Sequence, residues 1–169
     1  MFGRIVINEI GWMGTDAFAA DEWIELYNAG TATVDLSGWK LSAADGSPKI
    51  TLSGSIAPGD FYLIERTDDQ TIVGIDANLK TSFGNGLGNG GESLRLVNDS
   101  GEVMDEAGTT SGWFAGSNSP RTSMERVQPN YSGLDPANWA TSTSVSSQGK
   151  ASNGAVIRGT PKERNSTQQ

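Results

Sequence analysis

Two glutamates, Glu9 and Glu25, have the spacing best suited to proton chemistry in this chain. Each lies in an alternating stretch, IVINEI and EWIELYN, so in-register antiparallel pairing of the two stretches sets the carboxyls side by side. Carboxyls at that range can act as general acid and base. A plainer role carries more weight: each accepts hydrogen bonds from backbone amides or from a basic neighbour such as Arg95 or Arg126, as strand-bridging polar residues commonly do. The 169 residues contain neither histidine nor cysteine. Their absence excludes a Ser-His-Asp triad, thiol catalysis, disulfides and cysteine-bound zinc. It leaves a hard, oxygen-seeking cation such as calcium as the only candidate metal.

Oxygen ligands for calcium are available in two places. Asp16, Asp21 and Glu22 share one loop, and Asp68, Asp69 and Asp76 share another. Neither has the D-x-D-x-D-G spacing of a strong calcium loop, so a solvated acidic face is the favoured reading and Asp16, Asp21 and Glu22 are the candidate ligands if a site exists. Aromatic residues give a second kind of candidate. Trp23, Trp39 and Trp139 suit core or sheet-covering positions. Trp12, in Gly11-Trp12-Met13-Gly14, and Trp113-Phe114, set among glycines, are harder to bury and are the expected recognition surface for a protein or glycan partner. The Gly-rich run from Asn85 to Gly91 lacks the Lys-Ser/Thr that a phosphate-cradling loop requires and reads as a connection crossing between sheets.

Charge narrows the partners. The formal net charge is −8. Through Thr110 there are 17 acidic and 6 basic residues, a balance of −11; from Ser111 on there are 3 acidic and 6 basic, a balance of +3. A field this negative opposes polyanions, because nucleic-acid affinity comes largely from neutralising phosphates. Lys150, Arg158, Lys162 and Arg164 are scattered among Gly, Ser and Asn without interleaved aromatics, a poor nucleic-acid patch.

The elements that must position these residues are short and extended. Alternation predicts strands near 4–10, 22–29, 33–36, 39–43, 49–53, 61–66, 79–83, 92–98, 102–107, 123–127 and 138–141, with one wet face on the first two. No stretch sustains a 3.6-residue period, so no helix longer than a turn or two is expected. Asp45-Gly46 and Asp99-Ser100-Gly101 are hairpin signals. Glycine reaches 22 residues and hydrophobic residues 36%, which suits one all-β domain of many turns. No window approaches the roughly 18 apolar residues of a membrane span. Met1-Phe2-Gly3 runs straight into the first strand without a signal peptide, and an export signal lost upstream is the expectation.

Order and spacing of several motifs resemble one family. The opening NEI, then WIELYN, then VDLSGWKL (Val34 to Leu41), is similar to the start of the lamin tail domain in its bacterial form. Ile56-Ala57-Pro58-Gly59-Asp60 before an apolar strand, and Asn89-Gly90-Gly91-Glu92-Ser93-Leu94 before a late hairpin, match its next elements. Ser123-Met124-Glu125-Arg126, Asn138-Trp139 and Gly159-Thr160-Pro161 with Asn165 resemble the closing signature of bacterial members. The segment from Thr67 to Gly86 matches no element of that pattern.

The resemblance implies an all-β, immunoglobulin-like β-sandwich with long loops and an extended C-terminal segment. The domain is expected over residues 4–165, with 166–169 as tail or linker. It also implies no catalytic residues, no required cofactor and an extracellular or cell-surface location. The functional expectation is a non-catalytic interaction or structural module, monomeric, with a protein or glycan partner. The alternative is an accessory domain of a larger secreted hydrolase or nuclease that binds substrate or cell surface. Trp139 is expected to dock on the sandwich, and Gly159-Thr160-Pro161 to lie extended against the first strands.

Overall fold

A computed structural model describes residues 4–168. The expected run of Met1–Gly3 into the first strand lies outside the described residues, as does Gln169 of the expected tail. Fourteen strands follow in chain order among the described residues: β1 Ile5–Gly11, β2 Trp23–Asn28, β3 Val34–Asp35, β4 Lys40–Ala43, β5 Lys49–Thr51, β6 Ser55–Ile56, β7 Phe61–Arg66, β8 Leu79–Thr81, β9 Leu94–Val97, β10 Val103–Ala107, β11 Ser117–Asn118, β12 Arg121–Thr122, β13 Met124–Arg126 and β14 Trp139–Thr141. A single 3-10 turn, Pro136–Asn138, precedes β14. Asp135 caps it by accepting from the Ala137 amide. The two-residue strands β6, β11 and β12 escape the sequence reading because two residues carry no period.

Two sheets form a sandwich. The larger runs β14-β13-β1-β2-β7-β8 and the smaller β10-β9-β4-β5, with β3-β6 and β11-β12 as side ribbons. Ile5, Ile7, Ile10, Ile24, Leu26 and Ile64 from the larger sheet meet Leu41, Ile50, Leu94 and Leu96 from the smaller in one buried core. The hairpin at Asp45-Gly46 turns β4 into β5, with Gly46 at φ +90°, where a side chain would be strained. The Asn85–Gly91 connection carries the chain from β8 in one sheet to β9 in the other, as its composition suggested.

The larger sheet is covered on both faces, which corrects the expected wet face of β1 and β2. Every residue of β1 is buried, Asn8 and Glu9 included, and Glu25 is 0% exposed. The cover comes from two segments: residues 67–86, whose packing the sequence did not reveal, and the C-terminal segment, which was expected against the first strands. Residues after β7 return through a crossover that places β8 parallel to β7 and drops Ile72 and Ile75 onto the outer face. There they join Trp23, Leu63, Ala151 and Ile157 in a second apolar cluster. The segment 67–86 is therefore an integral part of the sheet's outer layer.

The C-terminal segment completes that layer. Trp139 docks as expected, 5% exposed, with Nε1 donating to the Gly133 carbonyl at 2.8 Å. The Arg126 guanidinium lies over its ring, 5.6 Å from the centroid. Further on, the Ser123 amide donates to the Arg158 carbonyl, and Thr160 reaches β1 through Glu9. The extended run stops there. Pro161 and Lys162 form a turn closed by the Glu163 amide donating to the Thr160 carbonyl. Residues 166–168, expected as tail, are bonded into the domain: Ser166 Oγ donates to Glu125 Oε2 at 2.7 Å, and Gln168 Nε2 to Asn8 Oδ1 at 3.3 Å.

Trp139→Ala should destabilise the domain by about 3–5 kcal/mol, the range for truncating a packed aromatic, read as a lower thermal or urea midpoint. Ending the chain after Gly133 should remove β14 with the outer cover and give aggregating protein. A soluble truncated chain with an unchanged midpoint would show that the cover contributes nothing.

Candidate functional site

The two glutamates singled out for proton chemistry do pair across strands, and a third joins them. Glu9 is opposite Glu25 on β2 and opposite Glu125 on β13. A bulge between Ile7 and Glu9 sets the register. It lets Ile7 and Ile10 share the core face while Asn8 and Glu9 both turn to the outer layer. All three glutamates are 0% exposed.

Their oxygens are taken by the C-terminal segment and by neighbouring strands. Glu9 Oε1 accepts from Ser123 Oγ and from the Thr160 amide at 2.8 Å. Thr160 Oγ1 lies 2.9 Å from both Glu9 Oε2 and Glu125 Oε1. One hydroxyl hydrogen serves two carboxyl oxygens, so a proton held on one of the two carboxyls completes the set. Glu25 accepts from Asn8 Nδ2 at 3.1 Å and from the Lys162 amide at 2.6 Å. Asn8 and Asn165 exchange amide bonds, and Asn165 Nδ2 also reaches the carbonyls of Asn8 and Arg126. Burial, then the Glu125 charge, pushes Glu9 up to about 8, against the hydrogen bonds from Ser123 and Thr160. Burial, then Glu9, raises Glu25 well above the ordinary carboxyl range.

Arg95 and Arg126 are not the partners of this ladder, contrary to expectation. Arg95 pairs with Glu106 on the surface. Arg126 is buried on the other side of the sheet, forked onto Asp105 of β10 at 2.5 and 3.1 Å, with Nη1 also donating to the Ile7 carbonyl. Strand alternation explains this, since Glu125 and Arg126 are adjacent and face opposite ways.

The other candidates are dispersed. Asp16 pairs with Arg158 at 2.7 Å, Asp21 accepts from Thr15 Oγ1, and Glu22 accepts from Arg66 and the Leu87 amide. Among the described residues no three acidic side chains converge on a point where a cation would sit. Each of the three candidate calcium ligands is matched by a protein donor. Trp12, expected on a recognition surface, is 7% exposed. It stacks on Trp113 at 6.0 Å with an 8° interplanar angle and donates to the Ala115 carbonyl. Gly116 makes this possible, because a Cβ there would lie 2.5 Å from the Trp12 indole nitrogen. Trp113 and Phe114 are half-buried against the core. The glycines that made these aromatics look exposed are what allow them to be covered.

Sequence reasoning missed Ser123 and Thr160 as donors and missed Glu65 altogether. Glu65 is 0% exposed on β7, its two oxygens without a well-formed hydrogen bond. Burial, then Asp69, pushes it up to about 8. Its signal in the sequence, a charged residue in FYLIER, is that of any wet-faced strand.

A profile of the Lamin Tail Domain family matches residues 2–111. The chain belongs to the lamin tail domain family. No match was found among curated proteins. The family is immunoglobulin-like and non-enzymatic, in agreement with the sandwich. The matched part of this lamin tail domain carries Asn8, Glu9 and Glu25. Glu125, Thr160 and Asn165, which complete the ladder, lie beyond the match.

The raised carboxyls fix the direction of pH dependence. Glu9 and Glu65 move from 4.5 to about 8, and Glu22 from 4.5 to about 7 under burial. The folded state therefore keeps protons that the unfolded chain releases, and their stabilisation is full below about pH 4.5 and lost as pH rises through 7–8. The melting temperature should fall steadily from about pH 5 to about pH 9. Glu9→Gln, whose amide can donate to Thr160 Oγ1 in place of the proton, should match the parent near pH 5 and melt higher near pH 9. A flat profile in the parent would contradict this assignment.

Proposed function

We propose that this lamin tail domain is a non-catalytic interaction and structural module of an exported or cell-surface bacterial protein. The observation that carries this reading is the use of its paired carboxyls. Glu9, Glu25 and Glu125 are capped by Ser, Thr, Asn and backbone donors under a covering segment, and all three are 0% exposed. Carboxyls bound in this way hold a layer in place; a hydrolase needs its acid and base at a cleft. The acidic balance of −11 through Thr110 supports an extracellular setting and a partner other than nucleic acid. Arg158 pairs with Asp16, which removes one free positive charge from the C-terminal part. The module acts as a monomer, without a required cofactor. Among the described residues no helix is long and apolar enough to cross a membrane.

The isolated chain should show no turnover of nuclease, esterase or glycosidase substrates. Activity that disappears in Glu25→Gln, with the fold intact by circular dichroism, would refute the non-catalytic reading. Millimolar calcium should raise the melting temperature by no more than a few degrees, as for a weak extracellular site. A large calcium shift, or tight zinc or copper binding, would show that a metal belongs to the module.

A further inference from the structure

One groove on the outer face of the larger sheet has the chemistry of a ligand site. It has a volume of about 410 Å³ and is lined chiefly by Tyr27 of β2, Phe61 of β7, Gln128 and Pro129 after β13, and Arg164 and Gln168 of the C-terminal segment. The two aromatic rings are half-buried and lie 5.1 Å apart with a 36° tilt, giving the floor an apolar platform. Among the described residues Arg164 is exposed and forms no ion pair, an unmatched cation on a chain of net charge −8. Asp60, between the lining residues Gly59 and Phe61 in sequence, accepts from the Phe61 amide at 2.8 Å.

The walls are fixed rather than loose. Asn165 is held by Asn8 and the Arg126 carbonyl, which sets the adjacent Arg164 at the groove. The backbone of Gln128 is tied at both ends to the Asn138 side chain, and Arg4 donates to the Asn130 carbonyl beside Pro129. Preorganised walls of this kind reduce the entropy lost on binding. Both floor strands lie inside the sheet order, between β1 and β8.

We propose that this groove binds a uronate unit of an acidic glycan, a reading that rests on the interaction module above and names its ligand class. The apolar face of a sugar ring packs on Tyr27 and Phe61. Its hydroxyls take the Gln128 amide and the remaining donor and acceptor of the Gln168 amide, whose Nε2 also donates to Asn8 Oδ1 at 3.3 Å. The guanidinium of Arg164 forks onto the ring carboxylate. A single cation meets one carboxylate at close range, while the acidic field around it opposes a ligand of many charges, so only weak affinity for an acidic oligosaccharide is expected. Gln128, Pro129, Arg164 and Gln168 all lie outside the residues the family profile matches.

Calorimetric titration of the intact chain with trigalacturonate and with neutral maltotriose tests the proposal. Trigalacturonate should bind with a Kd of about 0.1–1 mM, weakening as salt rises, and maltotriose at least about tenfold more weakly. Arg164→Ala should lose about tenfold or more with an unchanged melting temperature, and Arg164→Lys should recover part of the loss. Gln128→Ala, exposed to less risk of unfolding than Tyr27→Ala, should also weaken binding. Equal affinity for the two sugars, an unaffected Arg164→Ala, or no heat at about 10 mM trigalacturonate would overturn the glycan assignment. Capture of a peptide by its C-terminal carboxylate, without the uronate, would overturn it as well. Silent titrations with an inert chain sink this assignment alone, whereas cleavage of trigalacturonate sinks the non-catalytic reading even if binding holds.

Discussion

Three carboxyl groups stand in a row across adjacent strands of the larger sheet, all out of reach of bulk water. An isolated buried carboxylate costs several kcal/mol, so such a row persists only if protons or donors meet it. In this chain the donors come mainly from the last stretch of sequence. Thr160, the Lys162 amide, Asn165 and Ser166 meet β1, β2 and β13 through side chains and backbone groups. A purely apolar cover would tolerate sliding. A set of matched donors and acceptors admits one placement, and this is why the C-terminal segment follows a single path over the sheet.

The bulge in β1 links the two faces of that sheet. Strand β13 pairs with β1 only at Glu9 and Ile10, so the Ile7 amide and carbonyl are left to side chains. Asp105 takes the amide at 2.8 Å and Arg126 the carbonyl at 2.8 Å, and this joins the smaller sheet to the larger. The bulge also sends Asn8 outward to grip Asn165. One irregularity thus anchors the opposite sheet on one side and the terminal cover on the other. Arg126 adds a third tie through the Trp139 ring, so the last strand, the first strand and the smaller sheet meet at one buried guanidinium.

Much of the sandwich was legible because its cues are local. Alternation placed β1, β2, β7 and β9, the Asp-Gly turns placed the hairpins, and the isolated Trp139 announced a docked tail. The cross-strand pairing of Glu9 with Glu25 followed from the same alternation. What failed was any inference that needed a partner distant in sequence. IVINEI and EWIELYN have the pattern of half-wet strands; only two later segments, one around Ile72 and Ile75 and one after Ala151, show that the polar face is dry. Trp12 looked exposed because glycines flank it, yet Gly116, far along the chain, is what seats it against Trp113. The acidic loop looked like a cation site because its carboxylates are close in sequence, while Arg66 and Arg158, their actual counter-charges, are not.

The bond between Asn8 and Asn165 spans 157 residues. During synthesis at about 5–20 residues per second, the first strands wait roughly 8–30 s before the groups that cap Glu9 and Glu25 exist. Over that interval the carboxyls of the first strands lack the donors that meet them when buried. The polar ladder therefore closes late relative to the strands that carry it.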